Sequence, residues 1–87
     1  MRFEWDEDNE DHIARHGIDV DEWEAAYNDV NKKVRPAHSS SERRRAALGR
    51  TDSGRLLHLV YTLRGNVLRP VTARDATFRE RRIYRDK

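Results

Sequence analysis

Apolar and polar positions alternate along this chain with two different periods. Up to residue 30 the spacing is three and four. Asn9, His12, Ile13 and His16 share one face of a helix that Asp6 can cap and Gly17 can close. A second helix is expected after Asp19, where Glu22 completes a capping box and Val20, Trp23, Tyr27 and Val30 form the core stripe. Beyond Asn31 the period falls to two. Lys32 to Arg35 reads as a short strand ended by Pro36, and Arg44 to Arg50 as another. Thr51-Asp52-Ser53-Gly54 turns the chain into the most apolar stretch, Leu56 to Leu63, and Arg64-Gly65-Asn66 turns it again into Val67 to Ala73. Thr77 and Glu80 make a further capping box, opening a last helix from Phe78 to about Asp86. Phe3-Glu4-Trp5 suits a short initial strand or extended segment.

The order is helix, helix, antiparallel meander, helix. This predicts one α+β domain over residues 1–87, with two N-terminal helices and a C-terminal helix packed on one face of an antiparallel sheet of three to four strands. Eighty-seven residues give a thin core, and no cysteine reinforces it, so the chain reads as intracellular and cytoplasmic. No apolar run is long enough for a membrane span, and the first residues do not form a signal peptide.

Charge is divided unevenly along the chain. The formal net charge is only +2, yet residues 1–30 carry 2 basic and 11 acidic side chains and residues 31–87 carry 16 basic and 5 acidic. Fifteen of the eighteen cations are arginine, whose planar fork suits phosphate and stacks on bases. The basic half therefore points to a polyanion, with Lys32, Lys33, Arg79, Arg81, Arg82 and Arg85 as RNA-binding candidates. Mutual neutralisation of the two halves within the fold is the alternative.

Along the central strand Leu57, Leu59, Tyr61 and Leu63 point one way, toward helices, while Leu56, His58, Val60 and Thr62 point the other. That second face is mixed enough to carry a ligand, and Arg44, Arg50, Arg69 and Arg74 can project beside it. Arg69 and Arg74 lie an odd number of residues apart, so a regular strand would put them on opposite faces; a bend near Pro70 is one way out. Cleaving RNA without metal needs a base for the 2′-hydroxyl, an acid for the leaving oxygen and fixed cations beside the phosphorus. Histidine and arginine can supply these, although an arginine on a strand is most often solvated or ion-paired. His12 and His16 would make half of a zinc site with no evident third ligand. There is no nucleophile elbow and no glycine-rich phosphate loop, hence no cofactor signature.

Three segments taken in order resemble the BrnT-like toxin family. They are Phe3-Glu4-Trp5-Asp6 with Asn9 and His12 to Ile18; Ala47 to Thr51 with Gly54 to Leu57; and Arg69 to Arg74 with Ala76-Thr77 and Glu80-Arg81. The likeness implies a RelE-type fold that cuts RNA without metal on the side of the sheet and last helix. It also implies a co-encoded antitoxin, of ribbon-helix-helix, BrnA-like type, that silences the toxin and carries it to operator DNA. The positions matching functional roles are His16, Arg44, Arg69 and Arg74, and exchange of Arg74 for Ala is expected to stop activity while leaving the fold intact. His58 stands where relatives usually carry an apolar side chain. A non-catalytic module that binds nucleic acid or a partner protein through the same arginines is the competing reading.

Overall fold

Each helix begins where a side chain satisfies the free N–H groups of its first turn. Asp6 with Asn9, Asp19 with Glu22, and Thr77 with Glu80 all form reciprocal capping boxes. The computed structural model describes residues 1–36 and 43–86. Their elements run β1 (Arg2–Phe3), α1 (Glu7–Ala14), α2 (Val20–Tyr27), β2 (Lys33–Pro36), β3 (Arg44–Arg50), β4 (Leu56–Arg64), β5 (Val67–Asp75) and α3 (Phe78–Arg85). Gly17, at φ 72°, closes α1: its N–H reaches Ala14 and that of Ile18 reaches Ile13. α2 stops at Tyr27, so Val30 falls outside the core stripe and is 95% exposed, and Ala26 is buried in its place.

The sheet has five strands in the order β1-β5-β4-β3-β2. Strands β2 to β5 pair antiparallel as expected, but β1 joins β5 in parallel, so the sheet is mixed and larger than three or four strands. The reason is local. Only two residues pair, through Arg2 N–H to Asn66 and Glu4 N–H to Leu68, too short a stretch for alternation to reveal. They nevertheless cover part of an edge whose N–H and C=O groups would otherwise be open.

The expectation of helices on one face also needs correction. α1 and α2 cover Ala47, Leu57, Leu59, Tyr61, Leu68 and Ala73, whereas α3 lies on the opposite face, setting Ile83 and Tyr84 against Leu48 and Leu56. Leu48 and Leu56 pair with His58 and Arg50, on the face turned away from α1 and α2, so leaving that face bare would expose them. In the larger core Trp23 is fully buried and meets Phe3, Trp5 and Tyr61 edge-on at 5.8–6.1 Å between ring centroids. Gly49 marks the closest approach of α2 to the sheet. A Cβ there would sit 2.0 Å from the carbonyl oxygen of Ala26.

One irregularity in β5 sets which side chains share the second face of the sheet. Val60 pairs with Thr72, but its neighbour Tyr61 pairs with Pro70, which leaves Val71 as an extra residue in β5. Proline has no N–H to give a ladder, so a bulge tolerates it. The carbonyls freed there are both met from the helices: buried Asn9 donates Nδ2–H to Pro70 O at 3.0 Å, and Trp23 donates Nε1–H to Thr72 O at 3.2 Å.

Candidate active site

Cross-strand register decides which side chains share the α3 face. His58 stands between Leu48 and Arg74, Val60 between Ala46 and Thr72, and Thr62 between Arg44 and Arg69. On β2, Lys33 pairs with Leu48 and Arg35 with Ala46, placing both on the same side. Because Val71 shifts the parity of β5, Arg69 and Arg74 fall on one face together despite their odd separation. The bend expected near Pro70 is thus a bulge, and Arg44, Arg69 and Arg74 surround the even-numbered side chains of β4. Arg35 adds a cation there that sequence reading missed; its alternation with Lys33 was the available signal.

The cations are not equally free. Arg74 grips Glu80 of α3 with both terminal nitrogens, at 2.8 and 3.0 Å, and Glu80 Oε2 also stands 3.8 Å from His58 Nε2. The Arg74 bond, ahead of the Thr77 cap, holds Glu80 down at about 2 against an ordinary 4.5, and it raises Arg74 in turn. His58 and Glu80 keep only 19% and 13% of their side chains exposed. Burial pushes His58 below its ordinary 6.5; Glu80 opposes this, while Arg74 and Arg35 add to it. Arg69 reaches Asp6 at 2.8 Å and Glu4 at 3.5 Å, and its hydrogen bond to Asp6 raises it. Among the described residues no ion pair involves Arg35 or Arg44. At one end of the face a cleft of about 440 Å³ is lined by Arg2, Glu4, Arg43, Thr62, Arg64 and Arg69.

His16 does not join this group. It lies exposed after the end of α1, in the helical layer covering the other face, where its carbonyl accepts from Arg55 at 3.3 Å. Its neighbour His12 is also exposed, with the two rings 6.1 Å apart, and no cluster of three metal-ligating side chains occurs among the described residues. His38 lies outside the described residues. Arg50 lies on the α3 face but over the Tyr84 ring, at 5.2 Å, away from His58. Of the RNA-binding candidates, Lys32 sits over the Tyr27 ring at 3.6 Å and Lys33 donates to the Asp86 carbonyl at the end of α3. Arg79, Arg81, Arg82 and Arg85 are exposed on α3. Arg74 turns out to have a second task. It anchors α3 through Glu80, so its exchange for Ala would strand a nearly buried carboxylate and loosen the helix. The fold would not be left untouched.

The arrangement offers several cations on one β face, a histidine kept neutral near pH 7, and a helix along one side. Acidic residues of α1 and α2 (Glu7, Asp8, Glu10, Asp11, Asp21 and Glu22) lie in the layer on the opposite side of the sheet. Acidic side chains are thus concentrated on the side of the sheet opposite His58 and Arg74. No described helix is long and apolar enough to cross a membrane.

Residues 5–80 match the family described as the ribonuclease toxin, BrnT, of type II toxin-antitoxin systems. No curated protein matches the chain. Among solved structures, the 1.1 Å crystal structure of the Brucella abortus ribonuclease toxin BrnT is similar at a TM-score of 0.67 and 26% identity, over 88% of this chain and 97% of that one.

Proposed function

This chain belongs to the BrnT family of ribonuclease toxins of type II toxin–antitoxin systems, and we propose that it is a metal-independent endoribonuclease acting on the α3 face of its sheet. The observation that carries the proposal is that Arg44, Arg69 and Arg74 share one face of the sheet with His58: Arg74 stands beside His58, Arg44 and Arg69 flank Thr62 further along β4, and the bulge at Val71 brings Arg69 and Arg74 into phase. In this reading the RNA's 2′-oxygen forms a bond to the adjacent phosphorus while the bond from phosphorus to the 5′-oxygen breaks. The 2′-hydroxyl proton passes to neutral His58, and the 5′-oxygen takes a proton from water. The products are a 2′,3′-cyclic phosphate and a 5′-hydroxyl. Arg44 meets the charge that builds on the phosphorane, with Arg69 and Arg74 beside it, each oriented by its carboxylate and retaining unspent N–H groups. His58 takes the proton-transfer role that the family likeness suggested for His16, because His58 shares a face with the cations. A RelE-type site, cleavage of RNA needed for translation, and a cytoplasmic setting belong to the same reading. So does neutralisation by a co-encoded ribbon-helix-helix antitoxin, with operator DNA reached only through that complex.

The test is cleavage of a single-stranded RNA by purified protein with and without EDTA, followed by analysis of the ends. Activity should survive chelation and leave cyclic phosphate. Arg44→Ala should lower the rate by about 10²–10³ without changing the melting temperature, since Arg44 is exposed and no described carboxylate pairs with it. Loss of activity on chelation would overturn the mechanism. The carboxylate pairing of Arg69 and Arg74 favours one second reading, a binding module in which these arginines serve the fold. Binding of RNA with no cleavage under any condition would select it.

A further inference from the structure

Helix α3 has two unlike faces. At 3.6 residues per turn, Glu80, Ile83 and Tyr84 fall together and point to the sheet, where Ile83 and Tyr84 cover Leu48 and Leu56, and Tyr84 donates to Asp29 at 2.5 Å. Phe78, Arg81, Arg82 and Arg85 recur at i, i+3, i+4 and i+7 on the outward side. All four are exposed, Phe78 to 77%, and none of the three arginines takes part in an ion pair among the described residues. A phenylalanine placed in water beside such cations has no explanation in the packing of the described residues. The Ala76 and Ile83 contacts already fasten the helix without it.

The chemistry of the stripe selects its occupant. A flat apolar ring and guanidinium planes both stack on nucleobases, and the guanidinium groups also hold phosphates. An acidic protein segment would use the charge but not the ring; an apolar partner would use the ring but not three arginines. The stripe is also continuous with the site. β5 runs from Arg74 through Asp75 and Ala76 straight into α3, and the helix's inner side is tied to Arg74 and His58 through Glu80. An RNA strand whose phosphate rests at Arg74 lies beside α3, about one helix diameter, roughly 10 Å, from its outward side.

We propose that the outward stripe of α3, Phe78 with Arg81, Arg82 and Arg85, is a stacking platform for unpaired bases flanking the cleaved bond, making the protein selective for single-stranded RNA. This rests on the ribonuclease reading, because it gives the stripe its substrate. Duplex RNA keeps its bases stacked on one another and offers Phe78 none, so the platform discriminates by strand state rather than by base identity.

Fluorescence anisotropy with a labelled 2′-O-methyl 12-mer of adenosine, which has no free 2′-hydroxyl and so cannot be cut, isolates binding from catalysis. The same 12-mer annealed to its complement serves as the duplex probe. Phe78→Ala should weaken single-strand binding on the order of 10-fold and leave duplex binding alone, with Phe78→Trp restoring it. Arg82→Ala should lower the slope of log affinity against log salt by about 0.7, the value for one phosphate no longer neutralised. Phe78 is exposed, so its variants should melt with the parent. Equal single-strand affinity of Phe78→Ala and the parent would overturn the platform while leaving the nuclease intact. Equal weakening toward both probes would also overturn it, as would Phe78→Ala failing to hold a co-expressed antitoxin while still binding RNA. A parent protein that binds neither probe would sink the ribonuclease reading itself, and the platform with it.

Discussion

Replacing Glu80 by Gln tests the interaction on which the site and α3 both depend. The substitution keeps the side-chain shape and the oxygen that accepts from the Thr77 N–H at 2.9 Å, but removes the charge gripped by Arg74. A carboxyl held at about 2 rather than 4.5 corresponds to at most ~3 kcal/mol of stability above the ordinary carboxylate range. Solvent near the helix end screens part of this, leaving an expected loss of about 1–2 kcal/mol at pH 7. The sign follows from the downward shift. Glu80's contribution is fully present above pH 4.5 and disappears as pH falls through its folded value near 2. Urea unfolding followed by tryptophan fluorescence at pH 7, 5 and 3 should therefore show a gap between parent and Glu80→Gln that narrows with acidity. His58 supplies an independent reading by proton NMR titration. Its midpoint lies below 6.5 in the parent and should drop further in the variant, because Glu80 is the acid that supports its protonated form against Arg74 of β5 and Arg35 of β2. A stability gap equal at pH 7 and pH 3, or a His58 midpoint that rises, would refute the reasoning.

Other expectations follow from single contacts. Leu59→Ala, in the centre of the fully buried sheet face, should cost roughly 2–5 kcal/mol in urea unfolding, and a parent-like midpoint would contradict the core described. Gly49→Ala should destabilise by about 1–3 kcal/mol or more, since the added carbon meets a backbone carbonyl rather than a side chain that can turn away. His58→Gln should remove the acid limb of the cleavage pH profile while leaving binding of the uncleavable 12-mer unchanged; a profile like that of the parent would return the base role to another group.

Much of this architecture can be read from the string because it rests on local rules. The three capping boxes need only residues three apart, and both turns of the meander carry their own glycines. The central strand declares its two faces because Leu57, Leu59 and Tyr61 alternate with His58, Val60 and Thr62. What stayed hidden depends on partners distant in sequence. β1 is two residues long, and its pairing with Val67 and Leu68 has no period to betray it. The side taken by α3 was legible only in retrospect, from the apolar pair Leu48 and Leu56 on the second face. The same distance separates His58 from Glu80, so a histidine without family support gained a reason only when its neighbour was located. For His16 the family likeness pointed to a position that the fold keeps on the far layer.

The extra residue at Val71 makes β5 a strand read in two frames. Residues before it and after it would, on an unbroken pleat, present opposite sides; the insertion brings Arg69 and Arg74 into phase. Deleting that one residue would alter no chemical group among the three arginines or His58, yet it would rotate one arginine out of the cluster with every side chain on its half of the strand. Composition of the face is thus governed by residue count as much as by residue identity. In this chain, a change of one residue in strand length between Arg69 and Arg74 would displace an arginine from the face as surely as replacing it, with every motif intact.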